Sequence, residues 1–247
     1  MGGFGLPYGT VAVSGVSAGI VTDSLALHID FLNTDCYTPG AATCTNLGSL
    51  SLTATDIPNG VSQWSIVGEH MVNEGNYSFK PTFTHDDIFQ DPSSYECWFA
   101  PPDTGNNNYG LFGPINFGGS YDQGVWVQMY DTDGSSPVAL YVRGGALSPV
   151  ISIPAADEII NAQVWNHLVL TYEATTCTIY HNGSLVTSGT VAASGNTASG
   201  YVIGGTYGYY THGGYDPGWD ITRVYHKILT ADEVLQNYDA EKSRFGH

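Results

Sequence analysis

The sequence predicts an all-β fold, an antiparallel β-sandwich closed by one short C-terminal helix. Three observations carry this. Short runs with apolar residues at every second position recur along the chain, the period of a strand with one buried face. Clusters of Gly, Asn, Asp and Pro separate these runs, and no helical pattern is interleaved until the last twenty residues or so. The composition also fits exposed β-structure, with 13% aromatic residues, only 12% charged residues and 31 glycines in 247 residues.

Residues 1–24 are small, glycine-rich and weakly patterned. They read as an N-terminal arm, either a leader or a strap ordered against a neighbouring subunit, ahead of a single domain over 25–247. Leu25, Leu27, Ile29 and Phe31 then alternate with Ala26, His28 and Asp30, which predicts a half-buried strand. Further strands are expected over 64–67, 77–80, 95–100, 125–130, 138–142, 165–172, 177–180, 185–187, 201–203 and 221–225. The turn signals between them include "IPNG", "DTDGSSP", "EATT" and "HNGS". Asn182-Gly183 is the strongest of these, because a type I′ hairpin turn needs positive φ at both positions. At the end, Thr230 followed three residues later by Glu233 forms a capping box. Ala231, Val234, Leu235 and Tyr238 recur at helical spacing, predicting a helix with that apolar stripe against the sandwich.

The charge excludes whole classes of partner. With 23 acidic against six basic residues the chain carries −17 at pH 7, whereas nucleic acids and anionic membranes are bound by clustered Lys and Arg. No run of about 18 apolar residues occurs, so no membrane insertion is expected. The start lacks a basic n-region and a compact apolar run, so no signal peptide is expected, and Leu6 stands where a myristoylation signal has Ser or Thr. Cys36 and Cys44 flank a turn-forming "YTPGAAT" and are a candidate disulfide. Cys97 and Cys177 lie in strand-like runs and read as buried thiols.

Three stretches read in order resemble the laminin-G-like branch of the concanavalin A-like jelly roll. They are "SYECWFAPP" (94–102), "WNHLVLTYEATTCTIYHNGSLV" (165–186) and "DITRVYHKILTADEVLQNY" (220–238). With "DSLALHIDFLNTDCY" (23–37) the similarity covers residues 23–246. The ending "QNYDAEKSRFG" further resembles laminin-G-like proteins of tailed bacteriophage virions. Such relatives follow the first strand with an aspartate- and glycine-rich loop, where this chain has "CYTPGAATCTNLGSLSLTATD", so no ligand role is carried over to that loop.

Glycoside hydrolases share the fold this resemblance implies, and they need two carboxylates flanking the scissile bond. No Glu-x-Asp-x-x-Glu strand or close variant occurs. Asp131 and Asp133 have a suitable separation but sit in a turn sequence, where Asp is favoured for local hydrogen bonds. Neither a Gly-x-Ser-x-Gly elbow nor a His-Glu-x-x-His helix is present. His28, His167 and His226 read as structural histidines on strands. Laminin-G relatives often hold one calcium at the sandwich rim, and the resemblance makes calcium the implied cofactor. Asp131, Asp133, Asp216 and Asp220, or His85-Asp86-Asp87, are the candidate ligands, with solubilising acidic loops as the alternative.

In "GGTYGYYTHGGYDPGW" (204–219), Tyr207, Tyr209, Tyr210, Tyr215 and Trp219 stand among glycines. Such rings suit core packing, a subunit interface, or stacking on the apolar C–H face of a pyranose. "DTGNNNYGLFGPINFGGSYDQG" (103–124) reads as a second, Asn/Gly-rich rim loop. These readings predict a non-enzymatic structural protein on the virion surface, as capsid decoration, vertex or tail-fibre component, assembled with other virion proteins and with itself as a homo-oligomer. The alternative is an adhesin for host-surface glycans, with a polysaccharide-degrading enzyme third. Four of the six basic residues, Arg223, Lys227, Lys242 and Arg244, fall near the C-terminus, and that end is expected to meet an acidic neighbouring subunit.

Overall fold

The computed structural model describes residues 19–38, 41, 43–51, 53–55, 64–67, 70–73, 80–81, 90–100, 108–114, 126–130, 139–143, 150–153, 160, 164–191, 201–203 and 218–247. In chain order the strands are β1 (Leu25–Asp30), β2 (Thr43–Thr45), β3 (Thr53–Thr55), β4 (Trp64–Val67), β5 (His70–Asn73), β6 (Lys80–Pro81), β7 (Ser93–Ala100) and β8 (Asn108–Pro114). They continue with β9 (Trp126–Tyr130), β10 (Ala139–Arg143), β11 (Val150–Ile153), β12 (Asn166–Glu173), β13 (Thr176–His181), β14 (Ser184–Thr190), β15 (Tyr201–Ile203) and β16 (Gly218–Tyr225). One helix, α1 (Ala231–Glu241), follows, and a 3-10 turn over Lys242–Phe245 ends the chain.

An eight-stranded sheet runs β14-β13-β12-β7-β16-β5-β4, with β1 also pairing β16, and a five-stranded sheet runs β11-β10-β9-β8-β15. A small third sheet contains β2, β3 and β6, and the pairings are antiparallel. This is the all-β sandwich with one C-terminal helix that the sequence predicts. Five strands were not expected: β2, β3, β5, β8 and β11. β2 and β3 are three-residue polar runs, and β8 reads "NYGLFGP", whose glycines and proline look like loop. Residues 108–114 are therefore a strand of the second sheet rather than part of a rim loop. In β8, pairing with β9 and β15 makes the segment extended despite its glycines and proline.

Alternate residues of the large sheet form the inter-sheet core. Leu27, Ile29, Cys97, Phe99, Leu168, Leu170, Ile179 and Val224 face Leu111, Val127 and Ile151 of the five-stranded sheet. Cys97 and Cys177 are buried thiols within it. β1 departs from expectation, because all six of its residues are buried rather than every second one. Its polar face is covered by the C-terminal segment, and its free edge by residues 46–50. There the N–H groups of Leu47, Ser49 and Leu50 donate to the carbonyls of His28, Leu25 and Ala26. The Asn46 side chain accepts from the His28 N–H and donates to the Ala26 carbonyl, so the edge strand has no open backbone face here.

This cover requires glycine at position 48. A Cβ there would lie 2.4 Å from the Ala26 carbonyl oxygen and 2.7 Å from its carbon, which are backbone atoms that cannot swing away. Gly48→Ala is expected to lower stability by about 1–3 kcal/mol, read as a shift in the urea midpoint at unchanged slope.

α1 begins with the predicted capping box, Thr230 Oγ1 accepting from the Glu233 N–H and the Glu233 carboxylate accepting from the Thr230 N–H. Its buried face overlaps the predicted stripe only in part, at Val234 and Tyr238. Val234, Asn237 and Glu241 point to the sheet, whereas Ala231 is exposed, Leu235 is 45% exposed and Tyr238 is half-buried. The sheet surface beneath the helix is partly polar, so it selects a polar-faced helix. Residues 19–24, expected as part of the arm, join the domain. Ile20 and Val21 pack with Tyr225, Leu229 and Val234, and the Val21 N–H donates to Asn237 Oδ1 at 2.7 Å.

Candidate functional site at one end of the sandwich

Strand register decides which connecting segments share an end. In the large sheet, Gly218 at the start of β16 pairs with Ala100 at the end of β7, and Asn166 at the start of β12 pairs with Phe99. In the five-stranded sheet, Asn108 pairs with Tyr130, Ala139 with Tyr130, and Leu140 with Ile153, while Ile203 pairs with Phe112. Ile151 of β11 packs where a Cβ on Gly189 of β14 would sit, which sets the relative direction of the two sheets. The strand ends joined by 101–107, 131–138 and 204–217 therefore lie at one end of the sandwich. β1 also finishes there, since Asp30 pairs with Ile221 and the Phe31 N–H donates to the Asp220 carbonyl.

Most of the candidate residues belong to, or directly follow, the segments that join those strand ends. Tyr207, Tyr209, Tyr210, Tyr215 and Asp216 belong to 204–217, and Asp131 and Asp133 to 131–138; these seven, and His85-Asp86-Asp87, lie outside the described residues. The Trp219 backbone is in β16, paired with Phe99 and Met71. Asp220 is fully buried, and its Oδ2 accepts from Arg244 Nη2 at 2.9 Å. Burial pushes its carboxyl well above the usual range although Arg244 opposes this. A carboxylate committed to an arginine inside the fold does not fit the role of a rim cation ligand. Among the described residues there is no group of three or more His, Cys, Asp or Glu side chains able to hold a metal. Cys36 and Cys44, the candidate disulfide, are two buried thiols instead.

The back of the large sheet holds a constellation that sequence reasoning missed. On this face the cross-strand row runs His28, Arg223, Glu96 and Val169 over β1, β16, β7 and β12. Arg223 Nη1 donates to Glu96 Oε1 at 2.7 Å and to Glu241 Oε2 at 3.0 Å, and its Nη2 donates to Glu241 Oε1. Glu96 also takes Asn237 Nδ2 at 2.7 Å and sits 3.0 Å from His167 Nε2. Trp98 Nε1 donates to Glu241 at 3.1 Å, and the Trp98 ring stacks on Phe245 at 4.1 Å. One layer on, Arg244 forks onto Asp30 at 2.7 and 2.9 Å besides its bond to Asp220.

The electrostatics follow from these contacts. Burial disfavours the Glu96 carboxylate, but Arg223, His167 and Asn237 outweigh it and hold its pKa at about 2. Asp30 is likewise buried yet lowered, because Arg244 prevails. His28 has no hydrogen-bonding partner for either ring nitrogen, and burial, reinforced by Arg223, depresses it to about 3. Glu96, His167, Arg223 and Glu241 are sealed from solvent, so their chemistry is to seat the C-terminal segment on the sheet, not to meet a substrate. The available signal was Glu96 and Arg223, opposite charges within two strands flanked by large apolar residues.

The expected acidic neighbour for the basic C-terminus is supplied by the chain itself. Arg223 and Arg244 are paired as above, Lys227 with Asp23 at 3.0 Å and Glu233 at 2.6 Å, and Lys242 with Asp239 at 2.6 Å.

A model of the Concanavalin A-like lectin/glucanases superfamily, of laminin-G type, matches residues 74–235. The chain belongs to this superfamily. The match runs from just after β5 into α1 and takes in the five-stranded sheet and β7, β12, β13, β14 and β16 of the eight-stranded one. No curated protein matches the chain by sequence. Among solved structures, the superfamily member described here is similar to the botulinum neurotoxin serotype D binding domain, at 11% identity and TM-score 0.65, over 90% of this chain and 53% of that one. A mutant of Trypanosoma rangeli sialidase displaying trans-sialidase activity gives 13% identity and TM-score 0.67 over 93% and 35%. The serotype D ligand-binding domain in complex with N-acetylneuraminic acid gives 10% and 0.64 over 90% and 52%. The chain thus spans about half of the neurotoxin chains and about a third of the sialidase, and at these identities the shared property is the fold.

Proposed function

We propose that this β-sandwich is a non-catalytic glycan-binding domain that uses the end carrying 101–107, 131–138 and 204–217. The observation that supports the reading is the strand register, which brings to one end the strand termini that the tyrosine-rich segment, the Asp131–Asp133 segment and the Asn-rich segment join. Tyr207, Tyr209, Tyr210, Tyr215 and Trp219 would stack on sugar C–H faces, with Asn and Asp side chains addressing hydroxyls. The neurotoxin domain solved with N-acetylneuraminic acid supports a sugar as ligand. A non-catalytic role is favoured because the close carboxylates Glu96, Glu241, Asp30 and Asp220 are engaged by Arg223 and Arg244 inside the fold.

The charge inventory narrows the sugar. The four cations whose side chains are described, Arg223, Lys227, Lys242 and Arg244, are in intrachain ion pairs, and the chain as a whole carries −17. A sialic acid carboxylate would meet repulsion with little to offset it, so the expected ligand is a neutral, hydroxyl-rich glycan. On a glycan array, neutral saccharides should be retained over their sialylated forms, most clearly at low salt. Each Tyr→Ala change in 204–217 should weaken binding about five- to tenfold, the equivalent of about 1–1.4 kcal/mol per ring. Binding indifferent to all five aromatic replacements would remove this end as the site.

A setting on the surface of a phage particle, as capsid decoration, vertex or tail-fibre component, is the second reading, and the virion-like ending favours it. Asn237, Arg244 and Phe245 of that ending are all used in packing, so the resemblance supports a shared way of closing the sandwich more directly than a shared partner. Mass spectrometry of purified virions tests it, and absence of the polypeptide from them would exclude it.

A further inference from the structure

The turn that leaves β1 and the strand β2 carry one thiol each, Cys36 and Cys44, with unequal surroundings. Cys36 and Cys44 are both buried in the inter-sheet core, 3% and 2% exposed. The Thr45 N–H donates to the Cys36 carbonyl at 2.7 Å, which brings the β2 residues alongside the turn. The Asp30 N–H points at Cys36 Sγ at 3.4 Å. The neighbouring Cys44 thiol and the Asp30 N–H hold the Cys36 pKa below the usual thiol range against its burial, whereas Cys36 and burial push Cys44 up. Thr43 and Thr45, on either side of Cys44, are exposed. Cys97 and Cys177 contrast with this. Their partners on β12 are Leu168 and Tyr172, four residues apart, so the two sulfurs do not face each other, and burial raises both.

We propose that Cys36 and Cys44 are an oxidation site, in which Cys36 is the attacking sulfur and Cys44 the resolving one, and that peroxide converts them to an intrachain disulfide. In the first step the Cys36 thiolate attacks one oxygen of hydrogen peroxide, the O–O bond breaks, and with one proton taken up the products are Cys36 sulfenic acid and water. In the second step the Cys44 sulfur attacks the sulfenic sulfur, the S–O bond breaks, and hydroxide leaves with the Cys44 proton as water. Two thiols are oxidised, one peroxide is reduced, and two waters form. The product staples the turn after β1 to β2. That turn leaves from the same end of the sandwich as the proposed glycan site, and Cys36 touches the backbone of Asp30, which anchors Arg244. The oxidation itself is independent of whether that end binds a sugar.

The test uses the full chain, treated with hydrogen peroxide, quenched, unfolded and alkylated before peptide mass spectrometry. Cys36 and Cys44 should be found joined, with the loss of two hydrogens, while Cys97 and Cys177 are alkylated. With Cys44→Ala, Cys36 should halt as a sulfenic acid trapped by a dimedone-type reagent. With Cys36→Ala, Cys44 should stay a thiol over the same exposure. The stapled chain should unfold about 5 °C higher than the reduced one, and dithiothreitol should abolish the difference. Four alkylated cysteines after peroxide would overturn the proposal, as would Cys44 reacting as fast without Cys36 as with it.

Discussion

Arg223→Met is expected to be the most damaging single change in the described part of the chain. Arg223 is completely buried and is shared between Glu96 and Glu241. Methionine fills much of the volume but leaves two carboxylates in a dry setting with no cation, and breaking a buried pair from one side costs about 3–5 kcal/mol. For a domain of this size that corresponds to roughly 10 °C or more in the unfolding midpoint. The damage should be local first, with α1 and the 3-10 turn leaving the sheet, because Glu241 and Asn237 hold that segment down. Near-ultraviolet circular dichroism would report this through Trp98, which stacks on Phe245 and bonds to Glu241. Adding Glu96→Gln and Glu241→Gln to Arg223→Met removes the stranded charges and should recover a large part of the loss. If Arg223→Met costs under about 1 kcal/mol by urea unfolding, the network does not carry the closure of the sandwich.

His28 should give the protein an acid-labile slope beginning near neutrality. Its folded pKa is about 3, against 6.5 for an exposed histidine, because the ring is buried and Arg223 lies nearby. The unfolded chain therefore takes up the proton first as pH falls. The stabilisation is complete above pH 6.5 and declines as pH drops toward 3, by about 1.4 kcal/mol per unit once His28 is charged in the unfolded chain. Between pH 7 and pH 5 this single group removes roughly 2 kcal/mol. Glu96 and Asp30 act in the same direction but lower, below pH 4.5 and 3.8 respectively. Asp220 acts oppositely, since its raised folded pKa makes stability fall as pH rises from 3.8.

The difference between wild type and His28→Leu isolates the histidine from these other groups. The variant should be neutral or slightly stabilising at pH 7, because two unbonded ring nitrogens are replaced by an apolar side chain. The gap in its favour should widen by about 2 kcal/mol on going to pH 5. A gap that stays constant from pH 7 to pH 5 would show that His28 is hydrogen-bonded or hydrated in the folded state.

The sequence by itself determined the sandwich, the order of its longer strands, the Asn182-Gly183 hairpin and the cap of α1. Each depends on contacts within a few residues: alternation with period two, positive φ at Asn182 and Gly183, and a Thr–Glu pair closing one helical turn. It also carried the motifs of the superfamily, whose matched region covers most of the domain. Only the tertiary structure decided which faces are buried. β1 alternates like a strand with one wet face, yet both faces are covered, because Arg244 lies 214 positions away and binds Asp30. α1 shows an apolar stripe, yet of that stripe only Val234 is fully buried and Asn237 and Glu241 are buried beside it, because the sheet opposite presents Glu96 and Arg223. The basic tail that seemed to need a partner finds its acids within the chain, 18 to 214 residues away for the two arginines. Burial of a charge depends on what lies across from it, and strand register places that group without regard to its distance along the chain.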